Sequence, residues 1–117
     1  MNEYKKLRVW QESVNLVTEI YLITKTFPSS ERYGLVNQIR RAAVSVPSNI
    51  AEGAGRNTKG EFKNFLGTAN GSLFELETQL IISKNLEYVA EKDLNFFLPR
   101  IEILQKMIYN LLKFLSK

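Results

Sequence analysis

The side chains that could do chemistry in this 117-residue chain are acids, hydroxyls and bases, because the sequence has no His and no Cys. It therefore lacks imidazole general bases, thiol nucleophiles and the usual protein ligands of zinc and haem. Ser45, for example, has no histidine that could activate it as the nucleophile of a hydrolase. The composition favours a non-enzymatic protein with no cofactor and no metal.

Glu77 is the acidic residue with the most informative position. At about 100° per residue it falls within the apolar arc of its helix, between Leu73 and Ile81. A buried carboxylate is costly unless it is paired and hydrogen-bonded. We therefore predict a buried ion pair that fixes the helix register, with Arg40 as the first candidate partner and Arg41 as the second.

A glycine-rich segment, residues 53–60, is similar to a phosphate-binding loop but departs from it in detail. Glu61 and Phe62 stand where a P-loop has Lys followed by Ser or Thr. The segment also follows a predicted helix, whereas a dinucleotide fingerprint follows a strand. What remains is a corner with Arg56 and Lys59 before a helix N-terminus, where free backbone donors and the helix dipole favour phosphate oxygens.

Basic side chains form three clusters in a chain whose formal net charge is +4. A positive balance favours polyanionic partners. Each cluster is either an ordinary solvated surface or a set of phosphate contacts, and the sequence leaves both alternatives open. The clusters are Arg40 with Arg41; Arg56, Lys59 and Lys63; and Lys5, Lys6 and Arg8.

Four amphipathic stretches must position these residues. Apolar residues recur at three- and four-residue steps, as on one face of a helix, and no segment has the alternation of a strand. Short connections between long helices favour an antiparallel up-down-up-down four-helix bundle. We therefore predict one all-α domain, 1–117, with helices at about 7–27, 31–53, 59–85 and 91–115.

Local signals mark the ends and the interior of these helices. Thr58 and Glu61 have the spacing of a capping box at the start of the third helix. Glycines at 53 and 55 predict a left-handed cap at the end of the second helix. Pro47 lies inside the second helix and cannot donate to the carbonyl four residues earlier, so we expect a kink or a break there.

The third and fourth helices carry more apolar residues than one core-facing stripe requires. Either a short, wide bundle hides both faces, or the second stripes form a subunit interface, as exposed apolar stripes tend to do. Small residues such as Gly67 and Gly71 would let a neighbouring helix approach closely. The second stripes comprise Phe74, Ile81, Phe96, Ile103, Met107 and Phe114.

The sequence pattern predicts neither a targeting segment nor a membrane-spanning one. Its first residues are charged and lead directly into an amphipathic helix, unlike the apolar centre of a signal peptide. No apolar run approaches the roughly 18 residues that a transmembrane helix needs. We therefore expect a cytoplasmic protein that does not contact membranes.

Residues 38–55, QIRRAAVSVPSNIAEGAG, resemble the signature of the 23S rRNA intervening-sequence protein family, also called the four-helix bundle protein family. The resemblance covers almost the whole chain, because it extends to LRVW at 7–10, FKNFL at 62–66 and SLFELET at 72–78. The motif residues that it singles out are Ser45, Pro47, Asn49, Glu52, Gly53 and Glu77.

The resemblance implies a left-handed antiparallel four-helix bundle assembled as a ring of five. Members of the family are encoded in intervening sequences of bacterial large-subunit rRNA genes and elsewhere in genomes. A related bundle is the accessory variability determinant of diversity-generating retroelements, a basic pentameric barrel that binds nucleic acid and a reverse transcriptase. The family's biochemical role is largely unassigned, so the resemblance implies the fold more strongly than the function.

Residues and resemblance together predict a non-enzymatic homo-oligomer that binds RNA or other nucleic acid with low sequence specificity. A possible protein partner is a reverse transcriptase. The alternative is an oligomeric scaffold that binds a protein partner and has no nucleic-acid role. The predicted phosphate contacts are Arg40, Arg41, Arg56, Lys59 and Lys63.

Overall fold

The computed structural model describes residues 3–117, which form four long helices and no strand. Single 3₁₀ turns at Tyr4–Lys6 and Ser29–Glu31 precede the first and second of them. The all-α four-helix fold predicted from the sequence is therefore confirmed. The helices are α1 (Arg8–Thr24), α2 (Leu35–Ala54), α3 (Lys59–Asn85) and α4 (Glu91–Leu115).

Successive helices pack against each other in antiparallel pairs around one core, and the bundle measures 44 × 24 × 20 Å. Each helix contributes aliphatic side chains with no exposed surface, such as Ile20, Ile39, Leu73 and Ile108. Burying one side chain of this size stabilises the fold by about 1.5–3 kcal/mol. The apolar stripes of the sequence thus form helices because the bundle removes those stripes from water.

The first two helices are shorter than the sequence pattern predicts. α2 begins at Leu35 because Glu31 lies outside it and caps it, with Oε1 accepting a hydrogen bond from the Leu35 backbone N–H at 3.1 Å. The other oxygen, Oε2, accepts from the Tyr88 hydroxyl at 2.9 Å. α1 ends at Thr24, after which Thr26 and Phe27 donate to the carbonyls three residues earlier, and Pro28 follows.

Pro47 does not break its helix. It lies buried inside an α2 that continues from Leu35 to Ala54, so of the two predicted outcomes the break is wrong. Val46 and Ile50, on either side of Pro47, have no exposed surface. Their burial offsets the loss of one backbone hydrogen bond in the ladder.

Gly53 serves close packing, and the predicted left-handed cap is wrong. It lies within the last turn of α2, and no glycine in residues 3–117 has a positive φ. A Cβ on Gly53 would lie 2.7 Å from the Phe65 Cβ and 3.0 Å from the Phe62 Cδ1. The absence of a side chain therefore lets α3 approach α2. Gly55 ends α2 with φ −84°.

Candidate nucleic-acid interface

The corner between α2 and α3 carries three of the predicted phosphate contacts, Arg56, Lys59 and Lys63, at one end of the bundle. Thr58 caps α3 as its spacing predicts, with Oγ1 accepting from the Glu61 backbone N–H at 3.1 Å. Neither Lys59 nor Lys63 takes part in the ion pairs found within residues 3–117. The corner therefore presents two ammonium groups that no carboxylate neutralises.

Arg56, between these elements, is held by two neighbours. Its Nη2 lies 2.8 Å from the Glu52 Oε2, and its guanidinium lies 4.9 Å from the centre of the Phe65 ring. Both members of the ion pair are exposed, and such surface pairs contribute at most about 1 kcal/mol. A phosphate could displace Glu52 from Arg56 at small cost, while the aromatic ring keeps the guanidinium in place.

Arg40 and Arg41 lie in the first half of α2, away from the corner. The helix rises about 21 Å between Arg40 and Ala54. Arg40 is half-buried: its Nε donates to the Thr24 Oγ1 at 2.9 Å, and its Nη2 donates to the Tyr21 carbonyl at 3.3 Å. It also lies 4.4 Å from the centre of the Tyr21 ring. Arg40 thus ties α1 to α2, whereas Arg41 is exposed.

The predicted ion pair of Glu77 does not form. Arg40 is engaged with α1, and no ion pair in residues 3–117 joins Glu77 to Arg40 or Arg41. Leu73 and Leu76 on the same helix have no exposed surface, whereas Glu77 is only half-buried at the edge of the apolar arc. Water therefore reaches the carboxylate, and the desolvation cost that would require a partner is not incurred.

A hydrogen-bonded bridge joins α2 to α3 at two of the motif residues. The Asn49 Nδ2 donates to the Ser45 carbonyl at 2.7 Å and to the Ser45 Oγ at 2.9 Å. The Ser72 hydroxyl lies 2.9 Å from the Ser45 Oγ and donates to it. Ser45 and Ser72 border a polar cleft of about 420 Å³, which Arg41 and Glu75 also line. Sequence analysis missed Ser72, since a hydroxyl among apolar residues does not identify its partner on another helix.

The second apolar stripes remain largely uncovered in the single chain. Phe74, Ile81, Phe96, Ile103 and Phe114 are 37–63% exposed, and Met107 is half-buried against the core. The alternative in which a wide bundle hides both faces is therefore wrong for one copy of the chain. Gly67 and Gly71 face open space, because a Cβ at either position would meet no other atom within 4 Å.

A groove between α1 and α4, the α1–α4 groove, is part of this uncovered surface. α1 and α4 make less extensive contact than any other adjacent pair of long helices. Between them lies a groove of about 380 Å³, with apolar residues along it and two carboxylates on the α1 side. Its lining includes Leu16, Phe96, Ile103, Leu104, Glu12 and Glu19.

We also examined the described residues for metal sites, membrane-spanning helices and titratable groups with shifted pKa values. Residues 3–117 contain no group of three or more acidic side chains close enough together to hold a metal ion. None of their helices combines the length and apolarity needed to cross a bilayer. The hydrogen bond to Glu31, together with burial and the negative charge of Glu31, raises the pKa of Tyr88 above its ordinary value.

Comparison with known proteins decides the family. The family model described as 23S rRNA-intervening sequence protein matches residues 5–110. The chain belongs to this family. A crystal structure of a protein of unknown function from the S23 ribosomal protein family of Bacteroides thetaiotaomicron is similar in fold, with a TM-score of 0.82. That similarity covers 90% of this chain and 95% of the other at 21% identity, and so shows the fold alone. Comparison with curated protein sequences gives no match.

In this member of the 23S rRNA-intervening sequence protein family, several motif residues hold α2 against α3. Ser45 and Asn49 belong to the hydrogen-bonded bridge. Gly53 has no side chain, which lets Phe65 of α3 pack closely against α2. Glu52 instead faces solvent and pairs with Arg56. Three of the six motif residues therefore serve the α2–α3 contact, and Glu52 modulates the charge of the basic corner.

Proposed function

We propose that this protein is a non-enzymatic homo-oligomer that binds RNA or other nucleic acid through its basic surface. The observation that carries the proposal is the corner at which Lys59 and Lys63 stand unpaired beside Arg56. Lysine and arginine bind nucleic acid by neutralising phosphates and releasing counterions. Arg41 is exposed and available for the same contact. Arg40 is half-buried, and its guanidinium, which is hydrogen-bonded to α1, would contribute through its positive charge.

Assembly into a ring of five is part of the proposal, and the uncovered apolar surface supports it. Phe74, Ile103 and Phe114 are each more than half exposed, and a second copy would remove them from water. Gly67 and Gly71 cost the α3 helix about 1 kcal/mol each relative to alanine. Because they meet nothing within the chain, close approach by a second helix would explain their presence.

The proposed contacts determine what kind of recognition to expect. Phosphate contacts fix the position of a protein on nucleic acid but carry no sequence information. We therefore propose low sequence specificity, RNA or structured nucleic acid as the ligand, and the cytoplasm as the place of action. A reverse transcriptase is a proposed protein partner, by similarity to the accessory variability determinant of retroelements.

Salt dependence tests the nucleic-acid proposal. Binding of a fluorescein-labelled single-stranded RNA, followed by fluorescence anisotropy, should weaken as salt increases. Contact with about five phosphates predicts a log–log slope near −3.5, since single strands contribute about −0.7 per phosphate. Absence of binding by the wild-type protein at low salt would contradict the proposal.

The α1–α4 groove favours a second candidate function, an oligomeric scaffold that binds a protein partner. Its apolar lining, with the carboxylates of Glu12 and Glu19 and the guanidinium of Arg100 beside it, suits an amphipathic peptide or helix. Under this alternative the wild-type protein forms oligomers but does not bind RNA at any salt concentration. The anisotropy titration and a native mass measured on the same sample therefore separate the two functions.

A further inference from the structure

The two ends of the bundle differ in charge. The basic end, defined as residues 3–8, 52–63 and 113–117, contains eight of the 16 basic side chains and three of the 12 acidic ones. The opposite end, residues 25–32 and 84–93, contains four of each. The remaining middle of the bundle holds slightly more acids than bases. The positive net charge of the protein is therefore concentrated at one end.

Side chains alone cause this asymmetry. α1 and α3 begin at the basic end while α2 and α4 finish there, so the positive and negative ends of the helix dipoles cancel. The structure also joins two sequence clusters that lie about fifty residues apart, because the N-terminal 3₁₀ turn packs against α2. The last turn of α4 adds Lys113, and Lys117 follows that helix.

Most of these cations are free to meet a ligand. Lys6 pairs with Glu3 at 3.1 Å and Arg56 pairs with Glu52, and both pairs are exposed. No other basic side chain of this end forms an ion pair within residues 3–117. The end face of the bundle is about 24 × 20 Å, wide enough to hold several consecutive phosphates of one strand.

We propose that the phosphate backbone of RNA docks on this basic end of the bundle and not on the middle of α2. The inference rests on the proposed nucleic-acid function and deepens it. Arg40 and Arg41 are then peripheral to the site, because they lie about 17 Å along α2 from its edge at Glu52. The site gains five residues beyond the corner: Lys5, Lys6, Arg8, Lys113 and Lys117.

Two triple variants with the same change in charge test this location. K59Q/K63Q/K113Q removes three unpaired cations from the basic end, and K25Q/K84Q/K92Q removes three unpaired cations from the opposite end. Anisotropy with the same labelled single-stranded RNA should show about 100-fold weaker binding for the first variant at low salt and a slope smaller in magnitude by about 2. The control variant should change affinity by less than about threefold, because its charges lie far from the ligand compared with the screening length.

The outcomes separate this inference from the function on which it rests. Equal losses in both variants would mean that binding follows net charge, which overturns the basic end as the site but leaves nucleic-acid binding intact. Failure of the wild-type protein to bind would overturn both. A footprint on the wild-type protein provides a test that needs no variant: RNA should protect Lys59, Lys63 and Lys113 from amine acylation. Protection confined to Lys25, Lys84 and Lys92 would contradict the proposal.

Discussion

The α2–α3 contact and the α1–α4 contact lie on opposite sides of the same core, yet one is closed and the other is open. α2 and α3 make the most extensive contact of any helix pair, and α1 and α4 make the least extensive contact of the adjacent pairs. Small residues close the first: Gly53 admits Phe65, and Ser45 meets Ser72. Exposed Phe96 and Ile103 line the second.

This difference shows that an apolar stripe alone does not decide whether two helices close on each other. Close packing requires small side chains at the crossing and satisfied polar groups between the helices. The α2–α3 contact has small residues at the crossing and the Ser45–Ser72 hydrogen bond across it. The α1–α4 groove leaves large side chains exposed, which is the condition under which a second copy or a partner is expected to cover them.

The largest effect should follow from placing a charge in the open groove. Ile103→Lys should abolish assembly, because an ammonium at this position would lose its hydration at the subunit interface, and pairing with Glu12 or Glu19 of the groove does not repay that desolvation cost. The protomer should stay folded, since Ile103 is 55% exposed in the single chain. Native mass and circular dichroism measure the two outcomes.

Tyr33→Lys is the matched control for this variant. It introduces the same charge at a side chain that is 87% exposed and lies outside the groove, so the oligomer should persist. If Ile103→Lys leaves the native mass unchanged, the groove is not the interface.

The second effect tests the closed contact. Gly53→Ala should destabilise the protein by about 1–3 kcal/mol, because the new Cβ would lie 2.7 Å from the Phe65 Cβ and force α2 and α3 apart. Gly55→Ala is the control: the new Cβ would lie 3.6 Å from the Glu52 carbonyl oxygen, an ordinary contact, and φ is −84°, so the change should stabilise the protein by up to about 1 kcal/mol. Urea unfolding of both variants measures the difference, and a Gly53→Ala protein as stable as the wild type would refute close packing as the role of this glycine.

A smaller effect should come from the hydrogen-bonded bridge across the same contact. Ser45→Ala removes the acceptor of Ser72 and one of the two acceptors of Asn49, and should cost about 1 kcal/mol. A double-mutant cycle with Ser72→Ala should give a coupling energy of about 0.5 kcal/mol or more, as for other side chains in direct contact. Strictly additive losses in urea unfolding would show that the two hydroxyls do not support each other.

The smallest effect concerns pH and the junction between the start of α2 and the α3–α4 loop. Because the bond to Glu31 raises the pKa of Tyr88 in the folded state, its stabilisation is complete below the unfolded pKa of about 10 and is lost as pH rises through the folded pKa. Urea midpoints of the wild-type protein should therefore fall more steeply in this alkaline range than those of Tyr88→Phe. Parallel curves for the two proteins would contradict the assignment.

The sequence contained enough to predict the helices but not their lateral contacts. Apolar periodicity determined four helices and the bundle, and the spacing of Thr58 and Glu61 determined a cap that the structure confirms. The sequence did not predict the roles of Gly53, Glu77 and Ser72 correctly, because those roles depend on which helix lies opposite. Periodicity determines which face of its own helix a residue occupies. It does not determine which residues of a neighbouring helix pack against that face.

For the candidate site, too, the sequence predicted some features and not others. The corner residues Arg56, Lys59 and Lys63 adjoin in sequence, so their proximity could be predicted. Arg40 could not be excluded from them by sequence, because only the packed bundle shows its bonds to Thr24 and Tyr21. The concentration of charge at one end likewise depends on bringing both ends of the chain to the α2–α3 corner.

Sedimentation equilibrium of the wild-type protein over a range of concentrations tests the central claim most directly, namely that one copy cannot cover its own apolar surface. The account predicts a discrete mass near five times the 13.5 kDa of the chain. A mass of 13.5 kDa at every concentration, in a soluble and folded sample, would contradict it.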